Sequence, residues 1–278
     1  MSLLLPWLKS WKRSEAISAV FFLCFMNGVA TRASAYVHEF GLSPAFMSLF
    51  GISALVLIAF YLALRNVLAA TPQPLTRSDL IIFSAILALN LIATPIISWL
   101  SLTFVAAREY LRSNQDPLLK RGAALMIGAT VPMFWGRLVF SLASSVILKA
   151  DATLVSLVTG TARTGNVVAL PNGGGFLWIA DACSSFGNIS LAMLCWLMFM
   201  EYRGRRERTP ADYITCFYAC LNVVVINITR ISIIAVRPDL YNLVHGPWGA
   251  MVAGYLTTFV VILICSSGIK REQHQLAV

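Results

Sequence analysis

Charge is what this sequence has least of. Only 12% of its 278 residues are Asp, Glu, Lys or Arg, against about 25% in average soluble domains. Histidine is scarcer still, limited to His38, His245 and His274. Cysteines occur at 24, 183, 195, 216, 220 and 265, without a C-x-x-C pair. That spacing, with so few histidines, supplies neither a disulfide framework nor a zinc site, so no metal is expected. There is no G-x-S-x-G, no H-E-x-x-H, no Walker loop and no pair of carboxylates inside the apolar runs. Serine hydrolysis, zinc proteolysis and ATP use therefore lack their parts. Internal repeats and low-complexity tracts are also missing.

Hydrophobic residues make up 58% of the chain. Apolar stretches of roughly 20 residues, the length a bilayer crossing needs, recur near 15–31, 44–64, 79–107, 122–148, 184–200, 211–236 and 246–268. Pro95 and Pro132 interrupt the third and fourth, so each is expected to kink or split. The pattern predicts an all-α integral membrane protein, a polytopic bundle of seven or eight transmembrane helices. It predicts a single membrane domain over 1–278, with 1–121 as N-terminal spans and 122–268 as the region that carries chemistry. The apolar run from Ala16 to Ala30 follows basic residues but no A-x-A-like cleavage site, so it reads as a retained first span.

The net charge of +9 is distributed in short segments: Lys9, Lys12 and Arg13; Arg108, Arg112, Lys120 and Arg121; Arg203, Arg205, Arg206 and Arg208; Lys270 and Arg271. Such segments mark the cytoplasmic side, and this placement argues for the lipid bilayer and against nucleic acid as a partner. A cytoplasmic 202–210 loop makes 184–200 run inward, 211–236 outward and 246–268 inward again. Cys183, Arg230 and His245 then fall at one extracytoplasmic face. Counting seven spans backwards places the N-terminus outside, against Lys9, Lys12 and Arg13. An eighth span, from splitting 79–107 at Pro95, removes that conflict.

The stretch 149–182 differs from its surroundings. Asp151 is followed by Leu154, Leu157 and Val158 at helical spacing, which suggests a short helix along the membrane surface. Arg163-Thr-Gly165-Asn166 and Pro171-Asn-Gly-Gly-Gly175 come next. Non-helical backbone of this kind does not face lipid. Val167–Leu170 and Phe176–Ile179 read as a small extracytoplasmic hairpin ahead of Cys183.

Three residues carry chemistry. Cysteines within apolar runs read as small buried hydrophobes, but Cys183 lies where a polar loop becomes a helix, and the positive helix end favours a reactive thiolate. The alternative is a buried structural thiol. Arg230 shares a helix face with Asn227, and an arginine in so apolar a run costs roughly 2.5–3.5 kcal/mol to insert and marks a functional site; the alternative is a side chain snorkelling to the interface. His245 opens the last span and is the natural proton carrier, or else an interfacial histidine beside Trp248. A nucleophile, a cation and a proton shuttle at one membrane face meet the needs of acyl transfer.

In Ala182-Cys183-Ser184, Asn227-x-x-Arg230 and His245, in this order, the chain resembles the exosortase/archaeosortase family. Those proteins carry Ala-Cys-Ser at the head of a membrane helix, Asn-x-x-Arg one helix later, and a histidine before the final helix. The resemblance covers about 130–268. Ser185 stands where the family usually has glycine, and Phe186-Gly187 where Leu/Ile-Arg is common. The resemblance implies a cysteine transpeptidase or protease of the cell (inner) membrane, with its site facing out. Its partner would be a membrane-anchored protein with a C-terminal sorting signal: a short motif, a helix and a basic tail. It implies Cys183 as nucleophile, Arg230 as oxyanion stabiliser and His245 as proton donor. Asn227, Arg163 and Ser184 would support them, and no cofactor is needed. The rival readings are a small-solute transporter, with Arg230 and Asn227 facing its pathway, and a non-catalytic subunit of an envelope polysaccharide export system.

Overall fold

The computed structural model describes residues 11–92, 94–113, 115–171, 173–203 and 208–275, without the side chains of 247 and 269–275. Lys9, Arg205 and Arg206, and the side chains of Lys270, Arg271 and His274, lie outside the described residues. Five helical stretches are long and apolar enough to cross a membrane: Arg13–Phe40, Pro117–Thr159, Asp181–Arg203, Pro210–Val236 and Trp248–Gly268. The chain is an all-α membrane protein with one small sheet among the described residues. It packs as two compact units, one ending at Phe134 and the other beginning at Trp135, where the sequence suggested one domain.

The first unit contains α1 (Arg13–Phe40), α2 (Leu42–Met47), α3 (Ala54–Leu68), α4 (Arg77–Asn90), α5 (Pro95–Arg112) and α6 (Pro117–Thr130). Pro95 splits the long 79–107 run because proline fits the first helical turn and not the interior. The 44–64 run is also broken, by Leu49 and Phe50 at φ of 53° and 55°. Thr76 and Asp79 cap α4 reciprocally. Asp116 caps α6 by accepting from the amides of Leu118 and Leu119. Helices α3 and α6 approach closely at Gly122, where a Cβ would stand 2.6 Å from Val67 Cγ2 and 2.8 Å from the Ala63 carbonyl. Small residues are what allow membrane helices to meet so tightly.

One end of this unit holds a buried ion cluster. Arg13 Nε donates to Asp79 Oδ2 at 3.1 Å, and Arg108 Nη2 to Asp79 Oδ1 at 2.6 Å. The same two guanidiniums each hold one oxygen of Glu109. Both carboxylates are wholly buried. The sequence suggested loop cations here and no paired carboxylates within the apolar runs. Instead Arg13 begins α1, Arg108 lies in the last turns of α5, and two carboxylates on different helices meet between them.

The second unit begins with α7 (Gly136–Thr159), which follows a π-helical turn at Val131–Trp135. Pro132 is absorbed by that wider turn and does not break the chain's helical course. Nor is there a separate surface helix after residue 149. Helix α7 runs on to Thr159 and stops where Gly160 takes a φ of 68°, because its inner face at Leu148, Ala152 and Val155 is buried in protein.

A three-stranded antiparallel sheet follows: β1 (Arg163–Thr164), β2 (Val167–Ala169) and β3 (Phe176–Trp178). Gly165 at φ 63° makes the first two-residue turn. Val167 pairs with Trp178 and Ala169 with Phe176, as the expected hairpin requires, and β1 adds a strand to it. The unit ends with α8 (Phe186–Arg203), α9 (Pro210–Val236), α10 (Tyr241–His245) and α11 (Pro247–Gln275). Helix α9 is central, packing against α7, α8 and α11. Only 11% of the apolar window of α11 is buried, and Tyr255, Phe259 and Leu263 stand exposed. In a membrane protein such a face meets lipid.

Candidate active site

Antiparallel packing of α8 and α9 brings the start of one beside the end of the other. At one end of this pair Arg203 bonds Asp212 at 2.6 Å, and Trp196 Nε1 donates to the Asp212 carbonyl at 2.9 Å. The other end gathers the sheet, Cys183, the last turns of α9, and the turn leading to α11. Val168 from the sheet, Ile179 just after it, Leu148, Ala152 and Val155 from α7, and Ile228 and Ile231 from α9 form its core, with Cys183 packed against them.

Cys183 closes a 3₁₀ turn, Asp181–Cys183, and is half-buried. Helix α8 begins only at Phe186, and the Ser185 carbonyl accepts its early bond from the Ile189 amide at 3.0 Å. The cysteine thus sits three residues ahead of the helix that the sequence placed it on, because Ser184 is extended (φ −71°, ψ 141°). It lies outside the first turn, where the dipole acts most strongly. Its backbone is fixed instead by side chains. Asn227 Nδ2 donates to the Cys183 carbonyl at 2.7 Å. Upstream, Asn166 bonds Ile179 in both directions: its Nδ2 donates to the Ile179 carbonyl at 2.9 Å, and its own carbonyl accepts from the Ile179 amide at 3.0 Å.

Arg230 lies one turn after Asn227 on α9. Its Nε donates to the Val244 carbonyl at 3.0 Å, and Nη2 reaches the His245 carbonyl at 3.5 Å. No carboxylate pairs with it among the described residues. Two of its five N–H donors are spent on these carbonyls, which leaves others for an incoming oxygen. His245 ends α10, half-buried, with its ring stacked on Tyr241 at 4.9 Å between centroids. A cavity of about 550 Å³ opens beside Arg230, lined chiefly by aliphatic side chains including Val225, Leu243, Val252 and Leu256.

The structure thus brings Cys183, Asn227, Arg230 and the His245 turn to one end of one unit. Among the described residues no hydrogen bond joins the Cys183 thiol to Arg230 or to His245. Arg163 is exposed on β1 and turns back to the Gly165 carbonyl at 3.1 Å, away from this group. No cluster of metal-ligating side chains occurs among the described residues.

Ser184 has a partner that the sequence did not single out. Its Oγ donates to Asp151 Oδ2 at 2.8 Å, and Ser185 Oγ donates to Asp151 Oδ1 at 3.0 Å. Asp151 is only 4% exposed. The signal was present: a single carboxylate in an apolar helical run is a functional candidate by the same logic that picked Arg230. In the sequence it stood only as the residue ahead of an expected short surface helix. No family model, no curated protein and no solved structure matches this chain.

Proposed function

We propose that the second unit is a membrane-embedded cysteine transpeptidase or protease of the exosortase/archaeosortase kind, acting on C-terminal sorting signals of exported proteins. The observation that carries this reading is the 2.7 Å bond from Asn227 to the Cys183 carbonyl, with Arg230 one turn further along α9 holding the carbonyls of Val244 and His245. Three bonds thereby link the nucleophile's loop and the histidine's turn to a single helix face. The motif order in the sequence supports the same reading.

In this mechanism His245 takes the thiol proton and Cys183 Sγ attacks the peptide carbonyl carbon. The developing oxyanion is met by the free donors of Arg230. The C–N bond then breaks, and His245 returns the proton to the departing amine, which leaves with the substrate's helix and basic tail. A thioester on Cys183 remains. An acceptor amine or water attacks it, its C–S bond breaks, and the thiol is regenerated.

The same proposal fixes a topology of eight crossings: α1, α3, α4, α5, the α6–α7 stretch, α8, α9 and α11. In the second unit the end that carries Arg203 and Arg208 faces the cytoplasm. The Cys183 end of the second unit then faces out, where the exposed aromatics Phe176, Trp178 and Trp248 sit at the interface. The cavity beside Arg230 favours a second reading, solute transport. Its aliphatic lining suits an apolar chain better than a polar solute.

The test uses cells that express the protein together with a substrate ending in a helix and a basic tail. Wild type shortens the substrate, and Cys183→Ala at equal membrane abundance leaves it full length. Normal cleavage by Cys183→Ala would overturn the nucleophile assignment, and a substrate uncut by either protein would favour transport.

A further inference from the structure

We infer that Asp151 is a positioning residue that holds the Cys183 loop in its reactive geometry, an inference that rests on Cys183 being the nucleophile. Asp151 lies on α7 among the core residues Leu148, Ala152 and Val155. It is 4% exposed and faces no cation among the described residues. A carboxylate kept there bears a desolvation penalty that a leucine of similar size would not. Among the described residues its partners are the hydroxyls of two consecutive residues, Ser184 and Ser185, which directly follow the cysteine. Ser184 Oγ also accepts from the Phe186 amide at 3.3 Å, so the carboxylate's hold extends to the first residue of α8.

Cys183 is therefore fixed from two helices at once. Helix α9 grips its own carbonyl through Asn227, and α7 grips the next two residues through Asp151. The Cys183 carbonyl and the side chains of the two residues after it are held, while the thiol carries no hydrogen bond among the described residues. This is the arrangement expected where a reacting atom must stay in place, because misplacement by about 1 Å can cost on the order of 100-fold in rate. Charge-assisted bonds to a carboxylate are roughly twice as strong as neutral ones, which explains why an ionisable group is used in so apolar a site.

The experiment is carried out on the full chain in membranes, with Cys24, Cys195, Cys216, Cys220 and Cys265 replaced by alanine so that Cys183 is the only thiol. The rate of Cys183 alkylation by a small maleimide is measured alongside substrate cleavage. In Asp151→Ala the loop is released: alkylation speeds up about tenfold, while kcat falls between about 10- and 100-fold with KM within about twofold. Asp151→Asn keeps an acceptor for one serine and a donor for the other, and it recovers most of both values. Ser184→Ala, which removes one bond at a half-buried site, gives the same opposite movements at smaller size even if Asp151→Ala does not fold. Unchanged alkylation in Asp151→Ala and Ser184→Ala overturns the inference. Faster alkylation in a protein that cleaves nothing even as wild type upholds the positioning role and overturns the enzyme reading instead.

Discussion

In the first unit Arg13, Arg108, Asp79 and Glu109 answer one another: each guanidinium touches both carboxylates, and all four carboxylate oxygens are engaged. In the second unit Asp212 has Arg203 at one end, but at the other end Arg230 and Asp151 have, among the described residues, only neutral partners, two carbonyls and two hydroxyls. Burying charge is costly in both cases. The first cluster pairs both of its carboxylates with two buried guanidiniums, with a half-exposed third, Arg112, 3.5 Å from Asp79, and ties α1, α4 and α5 together, which is what a structural device requires. The second leaves a cation with donors to spare and, among the described residues, a thiol without a bond. On the proposed reading, charge that the fold leaves unneutralised at the cysteine's end is charge available to a substrate.

The contrast is broken most sharply in the first unit. Removing one member of a fully paired buried cluster strands its partners, a cost of about 3–5 kcal/mol. Glu109→Gln is therefore expected to lower the melting temperature in detergent steeply, while the fraction that remains folded cleaves substrate at the wild-type rate. If turnover per folded molecule fell with it, the cluster would have a role in the chemistry and the contrast would fail.

Arg230→Gln sharpens the other side. No buried anion is left without a partner, so stability falls only by the lost carbonyl bonds, about 1.5–3 kcal/mol at most. Cleavage falls by about 10²–10³, the usual loss on removing one oxyanion donor. A variant that cleaves normally would return Arg230 to a packing role and leave the cavity beside it as the feature to explain.

The two kinds of charge were not equally legible in the sequence. Arg230 and Asn227 stand three apart on one helix, so their shared face followed from helical geometry. The hairpin was visible in its Gly and Pro turns, though β1, only two residues long, was not. Arg13 lies 66 residues from Asp79 and 96 from Glu109. No local pattern connects such distances, and basic residues near helix ends look the same whether they mark a loop or a buried pair. Asp151 failed for a subtler reason. It stood at the head of a stretch read as a short surface helix, and its partners Ser184 and Ser185 lie 33 and 34 residues further on, beyond any local pattern. The offset of Cys183 from α8 depends on the extended Ser184, which composition does not reveal.

The smallest effect concerns an exposed ion pair near the candidate site. Arg237 Nε and Nη2 donate to the two oxygens of Asp239 at 2.9 and 2.8 Å, in the turn between α9 and α10. The guanidinium holds the Asp239 carboxyl below its ordinary value. A carboxylate depressed in the folded state stabilises above its unfolded pKa, about 3.9, and that contribution disappears as pH falls through the folded value. Both side chains are exposed, so the effect is slight. Asp239→Asn should lower the melting temperature marginally at pH 7, and the difference should close below about pH 4. Its cleavage profile between pH 5 and 8 should superimpose on that of the wild type, because the pair does not titrate in that window. A profile displaced by Asp239→Asn would mean that this carboxylate acts on the neighbouring His245, and the second unit would then hold a charged partner for its chemistry after all.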